Sequence, residues 1–216
     1  MIVAVLADGQ GKKELLAKGV PANVELIWAD AVRALQIIEA DMYIDLLFEP
    51  DPERTSQLKR LLPKPVLINE VAHTTKSIGA NFVRINAWPT LLQRPVLEIA
   101  TATKEISDEL RQCLDRLQWK YQVVPDEPGM ITPRIIAMII NEAWFTLGDE
   151  VSTKEEIDIA MKLGTNYPLG PFEWGGQIGL QRVYELLKVL GKTDSRYSIA
   201  PALKKHCESA IVNRQS

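Results

Sequence analysis

Short apolar runs with strand-like composition recur through the first part of this chain and stop at Pro128. That switch limits the folds open to it more than any other feature. The runs cover residues 2–6, 24–29, 42–48, 66–69, 82–85, 96–100 and 121–124. Each is bounded by Gly, Pro, Asn or Asp, which end strands through the turn geometries they favour. Helical segments are expected between several of them, at 31–39, 53–62 and 107–117, with Leu110, Leu114 and Leu117 at helical spacing in the last. Parallel neighbours need crossovers, so strands alternating with helices point to a mostly parallel, doubly wound sheet. The stretch is short for such a domain, which leaves room for a missing βα unit.

After Pro128 the signals are helical. Residues 134–147 (RIIAMIINEAWFTL) are apolar almost all round apart from Asn141-Glu142, the pattern of a helix buried in a domain or between subunits. Ser152 and Glu155 have the spacing of a capping box, opening a helix that runs to Leu163 and is ended by Gly164. Two prolines and a glycine make 167–171 a fixed turn. A helix over 173–190 stopping at Gly191 and a short last one near 202–209 complete the pattern. The boundary is expected at Asp126-Glu127-Pro128-Gly129, giving an α/β domain over 1–126 and an all-α domain over 127–216.

Charge and composition remove several function classes. A net charge of −3 provides no basic field for nucleic acid or anionic lipid. Cys113 and Cys207 are too few and too far apart for a disulfide framework or a metal site. No apolar run reaches the roughly eighteen residues a membrane span needs, and residues 1–13 read as a first strand, not a signal peptide. A cytoplasmic protein is expected.

The segment Asp158 to Glu173, DIAMKLGTNYPLGPFE, carries the sharpest motif. Together with Pro128-Gly129, Pro133-Arg134 and the INEA block at 140–143, it resembles the substrate-domain signature of the 3-hydroxyacyl-CoA dehydrogenase family. The resemblance is dense in the C-terminal half and thin before Asp45. It implies a reduced Rossmann-like domain followed by a helical domain of the 6-phosphogluconate-dehydrogenase C-terminal type. It also implies NAD as cofactor, an acyl-CoA-like ligand and a homodimer built through the helical domain. Residues 134–147, with Trp144-Phe145 as aromatic anchors, suit such an interface. The GPFE block itself reads as a device that fixes a helix–helix turn.

A dinucleotide loop would read G-x-G-x-x-G after the first strand. Here the loop is Ala7-Asp8-Gly9-Gln10-Gly11-Lys12, so Ala7 and Lys12 replace the outer glycines. Gly9, Gly11 and the acid Asp30, about twenty residues on, are the candidate cofactor residues. Gly9-x-Gly11 reads more readily as a plain turn, and Asp8 adds negative charge where a diphosphate would lie, so NAD binding is expected to be weak or lost.

The family's chemistry implies a histidine base, a glutamate that orients it, and serine and asparagine side chains on the reacting oxygen. Its F-V-G-L-H-F-F-N-P pattern falls on Phe82-Val83-Arg84-Ile85-Asn86-Ala87-Trp88-Pro89, and its L-V-E-V motif on Val96-Leu97-Glu98-Ile99. Glu98 therefore takes the glutamate's place and Asn86 the histidine's, and an amide cannot accept a proton near neutral pH. Asn69 matches in Ile68-Asn69-Glu70-Val71-Ala72, but Val71-Ala72 replaces a hydroxyl pair. Pro133 replaces an asparagine, keeping a helix start and losing a polar group. Glu49 and Glu53 match an E-x-x-x-E pattern, with Glu53 also suited to capping a helix. His73 is the one histidine that could serve instead, although a surface loop residue is the plainer reading. His206 reads as solvent-facing, and Trp88, Trp144 and Trp174 as core or interface anchors. The expectation is a diverged family member with little or no standard dehydrogenase activity that keeps an acyl-CoA-like ligand or acts as a dimeric partner. The alternative is a working NAD-dependent enzyme on a 3-hydroxyacyl-CoA, of the 3-hydroxybutyryl-CoA kind, or a related hydroxy acid, with His73 or water as base. No metal is expected.

Overall fold

The computed structural model describes the backbone of residues 1–215 and the side chains of residues 1–210. The chain forms two compact units, Met1–Met130 and Ile131–Ser216. The division falls four residues later than the 126/127 expected from sequence, and the reason is local. The Gly129 N–H donates to the Val71 carbonyl at 2.8 Å, and Met130 is buried with Ala100 and Val124. The Pro128-Gly129 turn is thus stitched back onto the first unit.

The first unit is a seven-stranded sheet in the order β2-β1-β3-β4-β5-β6-β7. The strands are β1 (Ile2–Leu6), β2 (Glu25–Ala29), β3 (Met42–Asp45), β4 (Val66–Asn69), β5 (Val83–Ile85), β6 (Val96–Ala100) and β7 (Lys120–Val124). Helices α1 (Gly9–Lys18), α2 (Val32–Leu35), α3 (Pro52–Lys59), α4 (Thr75–Ile78) and α5 (Asp108–Leu117) connect them. Every pair is parallel except β5–β6. No helix lies between β5 and β6, so that pair has no crossover and reverses direction. Compared with the 3-2-1-4-5-6 order of a complete doubly wound sheet, one strand, not two, stands outside β1. The missing βα unit is on that side.

Alternation along the strands builds a core on each face. Val3, Val5 and Ile44 pack with Leu15 of α1 and with Leu110 and Leu114 of α5. Ala4, Leu6 and Ile68 pack with Leu35 of α2 and Leu58 of α3. Each of these side chains is at most 4% exposed, so truncating a leucine to alanine here costs about 2–5 kcal/mol.

Several elements differ from their expected limits. Helix α1 lies outside the segments expected at 31–39, 53–62 and 107–117, because two glycines and a lysine pair obscure its limits. Gly9 and Gly11 lie inside its first turn, not in a free turn. Helix α2 and strand β3 are shorter than expected, and α4 is additional.

The second unit contains α6 (Thr132–Gly148), α7 (Lys154–Thr165), α8 (Pro171–Ile178), α9 (Leu180–Leu190), a 3-10 turn (Ser195–Tyr197) and α10 (Pro201–Gln215). The capping box of α7 uses Thr153 and Glu156, one residue beyond the expected pair, and the Ser152 hydroxyl also donates to Glu156. The single helix expected over 173–190 is two, broken at Gly179, whose φ of 92° glycine alone tolerates cheaply. Asn141, the polar break in α6, is buried; it donates to the Ser198 carbonyl and accepts from Ala200 N–H, both at 2.9 Å. No helix among the described residues is long and apolar enough to cross a membrane.

Candidate functional site

Strands β1, β3, β4 and β5 all run the same way, so their carboxyl ends open at one edge of the sheet, where ligands of open α/β sheets bind. At the end of β1, Asp8 is extended and caps α1, its Oδ1 accepting from Gly11 N–H at 2.7 Å. A Cβ on Gly9 would meet nothing within 4 Å, whereas one on Gly11 would lie 3.2 Å from Leu46 Cδ1 and 3.3 Å from Ala7 Cβ. Gly11 is therefore the closely packed position. Exposed Asp30 follows β2 at the same edge. Lys12 has its ammonium 5.2 Å from the Trp28 ring centroid.

The structure brings Asn69, Asn86 and Glu98 together. Asn69 Nδ2 donates to the Leu46 carbonyl at 3.2 Å and its Oδ1 accepts from Ala87 N–H at 3.1 Å. Its side chain thus ties the ends of β3, β4 and β5 to each other. Asn86 N–H donates to the Glu98 carbonyl at 3.1 Å, so these two residues face one another at the end of the β5–β6 ladder. Asn86 is 5% exposed, and its Oδ1 is shielded from solvent with no hydrogen-bond partner among the described residues. A buried acceptor left in this state costs about 1–3 kcal/mol.

The loop beyond Asn86 is fixed from α1. Buried Glu14 accepts from Thr90 N–H and from Gln10 Nε2, each at 2.7 Å. Lys18 Nζ donates to the Arg94 carbonyl at 2.7 Å. Thr90 is held at a φ of 75°, a costly conformation for a β-branched residue.

His73 lies on the loop after β4, paired with Glu70: Glu70 Oε1 accepts from Ala72 N–H at 2.7 Å and His73 N–H at 2.8 Å, and sits 3.4 Å from His73 Nδ1. The imidazole is 37% exposed. Beneath this loop is a residue the sequence reading passed over. Arg84 is fully buried in β5, donating to the carbonyls of Glu70 (3.2 Å) and Val71 (2.9 Å) and to the carboxylate of Asp126. Asp126 also accepts from Thr75 N–H and hydroxyl. The signal was legible as one charged residue inside an otherwise apolar strand.

Glu49 is exposed beyond β3, outside the Asn69, Asn86 and Glu98 cluster; the carboxylates that organise its neighbourhood are Asp45 and Asp51.

 Burial pushes the Asp45 carboxyl up, while Arg54 at 2.6 and 2.9 Å and the Leu47 N–H draw it back. Asp51 caps α3, and Glu53 in its first turn pairs with Arg33 at the surface. Asp51, not Glu53, is therefore the capping carboxylate. Among the described residues, no group of three or more His, Cys, Asp or Glu could hold a metal ion.

In the second unit the DIAMKLGTNYPLGPFE segment closes on itself. Asp158 accepts from Phe172 N–H at 2.8 Å and Glu173 N–H at 3.1 Å, capping α8. Glu173 accepts from Gly170 N–H at 2.9 Å and pairs with Lys162. A Cβ on Gly170 would lie 2.3 Å from Asp158 Cγ, so only glycine fits. The motif holds α7 and α8 in a fixed turn. Trp88, Trp144 and Trp174 are all buried. His206 is exposed, as expected, with its ring centroid 5.2 Å from that of Trp144.

Comparison with known proteins agrees with this architecture. Residues 129–216 match the family described as 3-hydroxyacyl-CoA dehydrogenase, C-terminal domain. The chain is 30% identical over 199 residues to a probable 3-hydroxybutyryl-CoA dehydrogenase of Deinococcus radiodurans, covering 90% of this chain and 70% of that protein. It is 32% identical over 164 residues to a 3-hydroxyadipyl-CoA dehydrogenase of Escherichia coli, covering 74% of this chain and 34% of that protein. Its fold superimposes on the (S)-3-hydroxybutyryl-CoA dehydrogenase of Ralstonia eutropha with a TM-score of 0.74 at 18% identity, covering 97% of this chain and 94% of that one. Against three of the curated relatives it matches, the chain spans 34%, 47% and 54% of their length.

Proposed function

The chain belongs to the 3-hydroxyacyl-CoA dehydrogenase family, and from that premise we propose a diverged member that holds an acyl-CoA-like ligand without the family's standard NAD-linked oxidation. The observation that carries this reading is Asn86. It stands opposite Glu98, buried, with an acceptor oxygen that no group of the described chain satisfies. A ligand hydroxyl or amide N–H would supply the missing donor, and the amide oxygen would not remove its proton. General acid–base catalysis contributes about 10²–10⁴-fold, so loss of the base alone makes oxidation slow.

The start of α1 supports the same reading. A dinucleotide diphosphate needs free N–H donors and no competing charge there. Asp8 already takes the Gly11 N–H and places a carboxylate at that position, and Ala7 and Lys12 stand where glycines let backbone and ligand approach. These residues do not fit a diphosphate.

A second reading keeps the activity, with His73 as base. The pairing of its Nδ1 with Glu70 at 3.4 Å favours it, because a carboxylate-oriented imidazole is a common general base. We further propose that the protein is a homodimer through the helical unit, on the strength of Ile135, 56% exposed on α6, and Ile159 and Leu163, 53% and 83% exposed on α7.

Calorimetric titration tests the main reading. Acetoacetyl-CoA should bind saturably to the protein, and Asn86→Ala should weaken it. NADH should give no saturable heat in the micromolar range. Tight NADH binding, or no acyl-CoA binding, contradicts the proposal.

A further inference from the structure

The antiparallel β5–β6 step creates a second place where loops diverge. The carboxyl ends of β6 and β7 open at the edge where β5 begins, opposite the edge that carries Asp8, Asn69 and Asn86. A cleft of about 890 Å³ lies there, lined by segments around Lys59 at the end of α3, Thr74 and Lys76 at α4, Asn81 before β5, Lys104 after β6 and Glu127 after β7. That volume lies within the range of small-molecule sites and accommodates a nucleotide-sized ligand.

Three features distinguish this cleft from an ordinary surface depression. First, its lining is basic in a protein of net charge −3. Lys59, Lys76 and Lys104 come from three separate segments, and none has an ion pair among the described residues. Asp126 also lines the cleft, but its carboxylate is engaged by Arg84 and Thr75, leaving Glu127 as the opposing charge. Second, the base of the cleft is cross-linked: the buried Arg84–Asp126–Thr75 network joins β5, α4 and the segment after β7. Third, Lys104 is held at a φ of 61°, a left-handed conformation that suits glycine or asparagine better than lysine. Its turn is fixed by Lys104 N–H to the Thr101 carbonyl at 3.3 Å and by the Thr101 hydroxyl to the Glu105 carbonyl at 2.7 Å. Backbone strain of this kind collects at ligand clamps.

We propose that this cleft binds a nucleotide-sized organic polyphosphate, with Lys59, Lys76 and Lys104 as point charges on its phosphates. Lysine suits that role because its ammonium is compact and rotates freely. The site is independent of the acyl-CoA reading and lies away from the residues that carry it.

The test is calorimetric titration of the full chain with ATP at low ionic strength. Saturable one-to-one binding is expected. Removing three exposed ion-pair partners weakens affinity by about tenfold or more, so Lys59→Ala/Lys76→Ala/Lys104→Ala should show at least that loss with an unchanged melting temperature. The single charge reversal Lys76→Glu serves as a second variant and should also weaken binding. Lys12→Ala/Lys13→Ala, at the start of α1 on the other edge, should leave the affinity unchanged. No saturable heat, a triple variant that binds like the parent, or loss of binding in the Lys12/Lys13 variant instead would each overturn the proposal.

Discussion

Replacing Arg84 by methionine removes the one charged group buried in β5 while nearly conserving its volume. Three carbonyls, those of Glu70, Val71 and Glu127, lose donors at 3.2, 2.9 and 3.4 Å. Among the described residues, Val71 keeps the Gly129 N–H, Glu70 is left without a donor, and the Asp126 carboxylate keeps only Thr75. An orphaned buried acceptor costs about 1–3 kcal/mol, and breaking a buried ion pair by removing one partner costs about 3–5 kcal/mol. These terms overlap, since the same guanidinium supplies both. The expected loss is therefore about 3–5 kcal/mol, a large part of the roughly 5–15 kcal/mol of a typical domain. Urea unfolding of the first unit measures it, and hydrogen exchange should show protection lost first over residues 70–76 and 124–129. Asp126→Leu in the Arg84→Met background should recover part of the loss, because an apolar pair no longer buries an unpaired charge. A loss below about 1 kcal/mol, within the range of exposed ion pairs, would refute the view that this network fixes the loop.

Gly170→Ala should destabilise the second unit strongly, because the new Cβ would sit 2.3 Å from Asp158 Cγ; thermal unfolding that moves by less than about 2 °C, well under what 1 kcal/mol produces, would contradict that steric account. Hydrogen bonds from Lys162 and from Gly170 N–H hold the Glu173 carboxyl below the ordinary glutamate range, and those from Ser152 and Thr153 do the same for Glu156. Both folded values are depressed, so their stabilisation is present above the ordinary glutamate range and is lost as pH falls through the lowered values. Glu173→Gln should therefore flatten the acid limb of melting temperature against pH, and an unchanged slope would count against it. Light scattering at micromolar concentration should give twice the 24.2 kDa chain mass, and a concentration-independent monomer would rule the homodimer out.

Much of the fold can be read from the sequence because strand ends are punctuated by turn formers and the core alternates along each strand. Strands β1, β4 and β6 have their expected limits for that reason. Periodicity does not mark the limits of helix α1, since Gly9 and Gly11 are poor helix formers and the Asp8 cap sets its start. Gly179 splits what reads as one helix, because an isolated glycine in an apolar periodic stretch does not announce its φ. At the candidate site, motif spacing brings Asn86 opposite Glu98 and places Asn69 beside them, but not the engagement of Asn69 by two backbone groups. That bridging, like the Arg84–Asp126 pair separated by 42 residues, depends on tertiary contacts between strand ends that no local pattern encodes.

We propose that this scaffold, with Asn86 at the position of the family's base, does not oxidise hydroxyacyl substrates at an ordinary rate. The most direct measurement is NADH formation at 340 nm from (S)-3-hydroxybutyryl-CoA and NAD at saturating concentrations, with the parent chain and His73→Ala side by side. Turnover below about 10⁻² s⁻¹, at least two orders under the roughly 1 s⁻¹ lower end of ordinary enzymes, is expected, with no difference between the two proteins. Turnover of about 1 s⁻¹ or faster in the parent chain would contradict it, and its disappearance in His73→Ala would identify the base.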